Sequence, residues 1–166
     1  MMIRPVKREE VDAVGQLWFE LVIYHREISD LMPIPAEDGA SRYAARIRWS
    51  VDDDRTQTFV AVEDGRLIGY VYGTVVDLMP EMFKDEQAGI VGDIFVTQGK
   101  RGAGIGSALM DAMKDWFRLR GVAHYEWYVA AMNTDGLRFW EHTMGGQAVM
   151  VRMRATLDDS ASEGKE

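Results

Sequence analysis

The stretch VTQGKRGAGIGS, residues 96–107, joins an apolar run at 90–96 to an amphipathic segment at 105–120. This order predicts a strand, a glycine-rich turn and a helix. Three glycines fall within five residues of the turn, namely Gly102, Gly104 and Gly106. They leave several backbone N–H groups free to point at one ligand, and the helix that follows adds its unpaired first-turn N–H groups and the positive end of its dipole. We therefore expect the turn to bind a phosphate or pyrophosphate; the alternative is an ordinary tight strand-to-helix turn.

The glycine spacing separates the phosphate-binding turns of different protein classes. The P-loop pattern GxxxxGK[ST] does not occur in the chain. The dinucleotide-binding pattern GxGxxG would place its sixth position at Ser107 or at the bulky Leu109, and neither residue fits the strict pattern. A nucleotide-dependent enzyme that uses the same turn is kept as a less favoured alternative.

Two blocks of sequence carry a family resemblance. The first is GDIFV at 92–96 followed by RGAGIGSAL at 101–109, and the second is VAAMNTDGLRFWE at 129–141. The first block resembles the acetyl-CoA signature of the GNAT superfamily of N-acetyltransferases, and the second is similar to a later block of that family. Both stand in the family's order, and the resemblance covers about residues 1–156.

The resemblance and the apolar periodicity indicate the same fold, an α/β fold of the α+β type. The family has a mixed, mostly antiparallel, six- to seven-stranded sheet flanked by about four helices, in which two parallel strands splay apart. In this chain those strands would end near Val96 and Val129. The apolar residues at 148–156 predict a final strand. The whole of residues 1–156 is expected to form a single acetyltransferase-like domain. The tail at 157–166 is acidic and has small residues, so it is predicted to be disordered.

The resemblance implies acetyl-CoA as co-substrate. Backbone N–H groups at 101–107 would hold its pyrophosphate, a free N–H near Phe95 or Val96 would meet its thioester oxygen, and Asn133 would bind its arm. Asn133 equally suits a helix N-cap. The residues expected to contact acetyl-CoA are Ile94, Phe95, Val96, Arg101, Gly102, Ala103, Gly104, Ile105, Gly106, Ser107, Asn133 and Trp140.

Catalysis needs a base, because an alkylammonium with a pKa of about 10 cannot attack a thioester. Asp93 is the first candidate, since it is a carboxylate inside an apolar strand. Period-2 alternation predicts that it shares a face with Val91 and Phe95. In many members of the resembled family the preceding residue is a glutamate used as base, and this chain has Gly92 there. A purely structural role for Asp93 is the alternative.

The general acid is a second departure from the family pattern. The family's usual tyrosine would fall where this chain has Trp140, and an indole N–H cannot protonate a thiolate. Tyr128 is the substitute candidate, against the alternative of a surface or core tyrosine. CoA thiolate, with a thiol-like pKa of about 8.5, can leave unprotonated at modest cost. Gly92 and Trp140 together motivate a second hypothesis, a catalytically weak acyl-CoA-binding sensor.

No motif identifies the acceptor amine. In similar proteins the first two helices form the acceptor rim, and here the loop at 79–87 would complete the pocket. Tyr24, His25, Glu27 and Glu81 are the candidate substrate-binding residues, and the two glutamates are also alternatives for a water-mediated proton route. The acceptor is expected to be a small-molecule or protein amine.

Composition limits the partners. The 166 residues include 19 Lys+Arg and 27 Asp+Glu, a net charge of −8 that argues against broad nucleic-acid binding and favours a cationic acceptor. The absence of cysteine excludes disulfides and thiolate metal sites, and the three histidines lack metal-ligand spacing, so no metal is expected. The sequence has no run of 18 apolar residues, so we predict no membrane span. We expect a cytoplasmic protein, and the resemblance implies a possible homodimer.

Overall fold

The computed structural model describes residues 1–78, 82 and 86–157. This part of the chain forms five strands, β1 (Met2–Pro5), β2 (Thr56–Glu63), β3 (Arg66–Asp77), β4 (Gln87–Val96) and β5 (Tyr125–Trp127). Its helices are α1 (Val11–Ile28), α2 (Gly39–Ser50), α3 (Ile105–Leu119) and α4 (Thr134–Arg138), the last continued by a π-helical turn at Phe139–Thr143. Short 3-10 turns lie at Arg8–Glu10 and Gln98–Lys100.

The strands form one mixed sheet in the order β1-β2-β3-β4-β5. Every neighbouring pair is antiparallel except β4 and β5, which are parallel. A tight turn at Asp64 and Gly65 joins β2 to β3, and both residues have positive φ, 49° and 75°. Asp-Gly favours this geometry, so β2 and β3 form a hairpin.

Helices cover both faces of the sheet. On one face α1 and α2 pack against the buried Tyr70 and Phe95 of the central strands. On the other face α3 buries Leu109 and Met113. Each helix repeats its apolar residues at helical spacing and so presents one apolar stripe to the sheet. The glycine turn before α3 lies at the carboxyl end of β4, where the strand leaves the sheet.

Strand β4 bends at Gly92. Tyr72 of β3 pairs with Asp93 and Gly73 pairs with Val91, so Gly92 is the extra residue of a β-bulge. The parallel pairing of β4 with β5 ends at Val91. Because a bulge bends its strand and increases the local twist, the carboxyl half of β4 diverges from the chain that follows β5. This divergence opens the cleft described below.

The sheet has five strands in the described residues, so the prediction of six to seven was wrong. The predicted final strand at 148–156 pairs with no other strand there, and its apolar side chains, such as Val149 and Val151, are exposed. Strand β5 makes only three residue pairs, so it offers an added strand few hydrogen-bond partners. The tail beyond residue 157 lies outside the described residues.

Candidate active site

A cleft of about 570 Å³ lies between the diverging strands and the first turn of α3. Residues 91–96 of β4 form one wall and residues 127–129 form the other. The amino end of α3 closes one end of the cleft, and Tyr24 and His25 contribute from α1. Of the twelve residues predicted to contact acetyl-CoA, all but Ala103 line this cleft.

The glycine turn presents a row of unpaired backbone amides to the cleft. None of the N–H groups of residues 102–107 donates a hydrogen bond to any described residue, and the first helical bond runs from Ala108 N–H to the Gly104 carbonyl, 3.0 Å. Gly102 and Gly104 have φ of 80° and 76°, which glycine adopts without strain. A Cβ at either position would meet no atom within 4 Å. Such a nest of amides at a helix N-terminus fits a pyrophosphate.

The open edge of β4 offers further backbone groups. Thr97 N–H donates to the carbonyl of Ile68, 3.0 Å, which fixes the hydrogen-bonding phase of β3 and β4. Because hydrogen-bonded and non-hydrogen-bonded pairs alternate along antiparallel strands, the N–H groups of Ile94 and Val96 point away from β3 and into the cleft. Of the two residues named for the thioester contact, Val96 is therefore the one with a free N–H.

Arg101 crosses the cleft to α1. Its Nε donates to the carbonyl of Val96, 3.0 Å. Its guanidinium lies 4.3 Å from the ring centroid of Tyr24 and 5.4 Å from that of Phe95. These cation–π contacts join the glycine turn to the first helix. Tyr24 therefore lines the cleft, and its contact with the acceptor stays a prediction.

Asn133 caps the short helix α4, because its Oδ1 accepts a hydrogen bond from Gly136 N–H, 2.9 Å. Its Nδ2 lies 3.5 Å from Nε2 of His25 on the far side of the cleft. Burial lowers the pKa of the His25 imidazole, and the charge of Arg101 lowers it further. A neutral His25 therefore lies beside the predicted contact for the acetyl-CoA arm.

Asp93 lies in a buried polar cluster on the α1/α2 face. Its Oδ2 accepts a hydrogen bond from the Tyr43 hydroxyl of α2, 2.9 Å. Burial raises the pKa of the Asp93 carboxyl above its usual range, and the Tyr43 hydrogen bond and the Arg46 charge oppose that rise. A carboxyl with a raised pKa is a stronger base once ionised.

The predicted face of Asp93 was wrong in part. Asp93 and Phe95 share the α1/α2 face, whereas Val91 packs with α3 on the opposite face. The bulge at Gly92 inserts one residue into the strand and so inverts the alternation between Val91 and Asp93.

The two candidates for the general acid differ in exposure. Trp140 is 6% exposed and its ring stacks on Trp127, with centroids 4.4 Å apart. It therefore packs as a core residue at the floor of the cleft. Tyr128 lies at the cleft mouth and is 85% exposed, which leaves its hydroxyl free to approach a bound thiol.

Of the two glutamates predicted at the acceptor rim, the structure describes only Glu27. Glu27 is exposed and lines neither this cleft nor the second cavity described below. Glu81 lies outside the described residues. Within those residues, no group of three His, Asp or Glu side chains could hold a metal ion, and no helix is long and apolar enough to cross a membrane.

Sequence reasoning missed Tyr43 and Arg46 of α2. Only the fold shows that the Tyr43 hydroxyl reaches Asp93. Arg46 follows it by three residues and therefore lies on the same side of the helix. Polar groups beside the apolar stripe of α2 are the signal that could have found both.

These features place a nest of free amides beside an open strand edge on a mixed sheet. A family comparison matches residues 22–145 to the Acetyltransferase (GNAT) family, and the chain belongs to that family. The resemblance seen in the sequence is thereby confirmed. Membership implies an acyltransferase that uses acetyl-CoA, and the amide nest and open strand edge fit that co-substrate.

Solved structures support the fold. The tetramutant of protein BH1408 from Bacillus halodurans is 20% identical with a TM-score of 0.82, covering 95% of this chain and 100% of that one. A ribosomal-protein-alanine N-acetyltransferase from Brucella melitensis biovar Abortus 2308 is 21% identical with a TM-score of 0.65, covering 95% and 100%. A predicted acetyltransferase with acetyl-CoA from Clostridium acetobutylicum is 12% identical with a TM-score of 0.74, covering 93% and 95%. No curated protein matches this chain significantly.

Proposed function

We propose that this protein is an N-acetyltransferase that moves an acetyl group from acetyl-CoA to a primary amine by direct attack in a ternary complex. The observation that carries the proposal is the row of six unpaired amides at residues 102–107, beside the open edge of β4. A nest of amides binds an anion, and an open strand edge forms hydrogen bonds with an extended amide-containing chain such as pantetheine. One ligand needs both, and that ligand is an acyl-CoA.

The backbone positions the co-substrate. When bound, acetyl-CoA supplies the acetyl group as a thioester. The amides of residues 102–107 hold its pyrophosphate, and Asn133 Nδ2 is available to its arm. The N–H of Val96 donates to the thioester oxygen. A donor of this kind is typically worth about 3 to 4 kcal/mol in the transition state.

Two side chains accept and donate the protons of the reaction. Asp93 accepts the proton of the attacking amine, directly or through one water, and its raised pKa strengthens it as a base. Tyr128, at the mouth of the cleft, donates to the departing sulfur. The positions of these groups on opposite walls of the cleft support both roles.

Thermal unfolding with excess acetyl-CoA, NADP or ATP tests the ligand. Saturation at about 100 times the dissociation constant stabilises the folded state by about 2.7 kcal/mol. For a chain of this size the midpoint should rise by roughly 5 to 11 °C with acetyl-CoA alone. A rise with NADP or ATP and none with acetyl-CoA would refute the proposal and favour a nucleotide-dependent enzyme.

A second candidate is an acyl-CoA-binding sensor. It is favoured by Gly92 and by the buried Trp140, which stand where relatives are expected to have titratable groups. Thiol release from acetyl-CoA across a broad amine panel separates the two candidates. Tight acetyl-CoA binding without thiol release from any amine would support the sensor.

A further inference from the structure

A second cavity lies between α1, α2 and the loop that joins them. Its volume is about 460 Å³, near the lower end of the roughly 300–1,000 Å³ of small-molecule sites. Its walls are apolar: Trp18 and Val22 of α1 face Met32 and the prolines of the loop. The rings of Trp18 and Tyr43 stack there, with centroids 5.0 Å apart. This cavity suits a metabolite with an apolar or flat side group.

The second cavity adjoins the acetyl-CoA cleft. His25 lines both spaces. Tyr43 lines the second cavity, and its hydroxyl bonds to Asp93, which lines the cleft. A molecule whose body fills the second cavity can therefore present a small group to Asp93.

The charge of the second cavity is positive. Arg42 and Arg46 line it, and no described carboxylate does. Arg42 is already paired with Asp38, 2.8 Å. Arg46 forms no ion pair with any described residue, and its guanidinium lies 5.3 Å from the ring centroid of Tyr72, the β3 residue that pairs with Asp93. An unpaired cation thus stands close to a buried carboxylate.

We propose that the acceptor is an α-amino acid with an apolar side chain. Its amine lies at Asp93, its carboxylate pairs with the Arg46 guanidinium, and its side chain fills the cavity against Trp18 and Tyr43. In an α-amino acid the amine and the carboxylate share one carbon, and Asp93 and Arg46 both lie beside Tyr72. Polyamines are disfavoured because the cavity offers them two arginines and no acid. This inference rests on the proposed acetyl transfer.

The transfer balances without a further reactant. The ammonium of the amino acid first gives one proton to the Asp93 carboxylate. The lone pair of the neutral nitrogen then forms a bond to the acetyl carbon, and the carbon–sulfur bond breaks. The departing sulfur takes a proton from Tyr128, and the second nitrogen proton passes through solvent and restores the Tyr128 hydroxyl. The products are an N-acetyl amino acid, which has lost its positive charge, and CoA.

Calorimetric titration tests the acceptor class directly. The probes are L-phenylalanine, L-leucine, L-methionine and L-tryptophan, each compared with the amine that lacks its carboxylate, and spermidine. We expect the best amino acid to bind roughly 10- to 100-fold more tightly than its matched amine, the range typical of a charge-assisted hydrogen bond. Arg46→Gln should remove that preference, and Arg48→Gln should keep it. Arg48 lies on the same helix but pairs with Asp12 and lines neither cavity.

Each outcome is decisive. Equal affinity for amino acids and matched amines, or an unchanged preference in Arg46→Gln, would overturn the inference. Thiol release from acetyl-CoA with spermidine or a peptide amine, but with none of the four amino acids, would overturn it while leaving the N-acetyltransferase proposal intact. A lack of acetyl-CoA binding refutes the proposed function, and it is read from a separate titration.

Discussion

The hydroxyl of Tyr43 donates a hydrogen bond of 2.9 Å to Oδ2 of Asp93, and the two residues line different cavities. Tyr43 belongs to the apolar space between α1 and α2, and Asp93 belongs to the cleft beside the amide nest. Burial raises the pKa of both groups. The pair therefore connects the space proposed for the acceptor with the space proposed for acetyl-CoA.

Asp93→Asn tests the base. An asparagine keeps the shape of the side chain and accepts the Tyr43 hydrogen bond but cannot take a proton. We expect kcat to fall by about 10²-fold or more, the lower end of general base contributions. Asp111→Asn, a surface change on α3 beside Lys114, is the control and should leave kcat unchanged. Wild-type kcat in Asp93→Asn would remove Asp93 from catalysis.

The same carboxyl predicts a pH dependence of stability. Its folded pKa is raised above the unfolded value of about 3.9, so the folded state holds the proton more tightly. The free energy of unfolding should therefore fall as pH rises from about 3.9 to the folded pKa, and stay constant above it. Urea titrations of the wild type and Asp93→Asn check this. The difference between the two proteins should change with pH only inside that window.

Tyr43→Phe should move the acid limb of the kcat profile to higher pH. The Tyr43 hydrogen bond stabilises the ionised carboxyl, and its loss lets burial raise the pKa of Asp93 further. Tyr125→Phe is the control, because that ring packs on Phe117 on the α3 side of the sheet. A pH–kcat series on the three proteins measures the shift. If the acid limb of the kcat profile lies at the same pH in Tyr43→Phe as in the wild type, the group that titrates there is not Asp93.

Gly104→Glu should abolish acetyl-CoA binding. The new carboxylate would occupy the open space above the amide nest and repel the pyrophosphate. Gly121→Glu is a matched control, since Gly121 has a similar φ of 71°, a Cβ there also meets no atom within 4 Å, and it lies at the far end of α3. Both changes should cost similar stability in thermal unfolding. Equal acetyl-CoA affinity in the two variants would contradict the role of the nest.

Local sequence determined much of the fold and of the cleft beside the glycine turn. The glycine turn, the Asp-Gly hairpin and the helical periodicity act within a few residues, so their geometry could be predicted. The bulge at Gly92 could not be predicted, because it depends on pairing with β3, and it reversed the face expected for Val91. The prediction of a strand at 148–156 was wrong for a related reason, because an apolar run forms a strand only where a partner edge exists.

The acceptor side was the least predictable part of the site. The space proposed for the acceptor depends on Tyr43 of α2 meeting Asp93 of β4 and on Arg46 of α2 lying over the Tyr72 ring of β3, contacts that join distant parts of the chain. The negative net charge of the chain suggested a cationic acceptor, yet the cavity carries arginines. Net charge averages over the whole surface and does not describe one cavity.

Tyr128→Phe tests the general acid. We expect kcat to fall about tenfold, less than the usual 10²- to 10⁴-fold, because a thiolate with a pKa of about 8.5 can leave unprotonated. The KM for acetyl-CoA should not change. Tyr24→Phe is the control, since Tyr24 also lines the cleft but acts through its ring beneath Arg101. An unchanged kcat in Tyr128→Phe would show that Tyr128 only lines the cleft and is not the general acid.

Gly15→Leu should destabilise the protein and disturb the acceptor side of the site. Gly15 lies where α1 meets α2, and a Cβ there would stand 2.4 Å from the Ala40 carbonyl oxygen. Overpacking typically costs about 1 to 3 kcal/mol, which lowers the unfolding midpoint by roughly 2 to 12 °C in a chain of this size. Because the clash is with the backbone of α2, the helix that carries Tyr43 must move, and the Asp93 limb of the kcat profile should shift with it.

Gly99→Leu is the control for this effect. A Cβ at Gly99 meets no atom within 4 Å, so its midpoint should stay within about 1 °C of the wild type. Differential scanning calorimetry of the two variants and the wild type measures the difference. Equal midpoints for Gly15→Leu and the wild type would show that α1 and α2 can separate freely, and the close contact that positions Tyr43 against Asp93 would then not limit the geometry of the site.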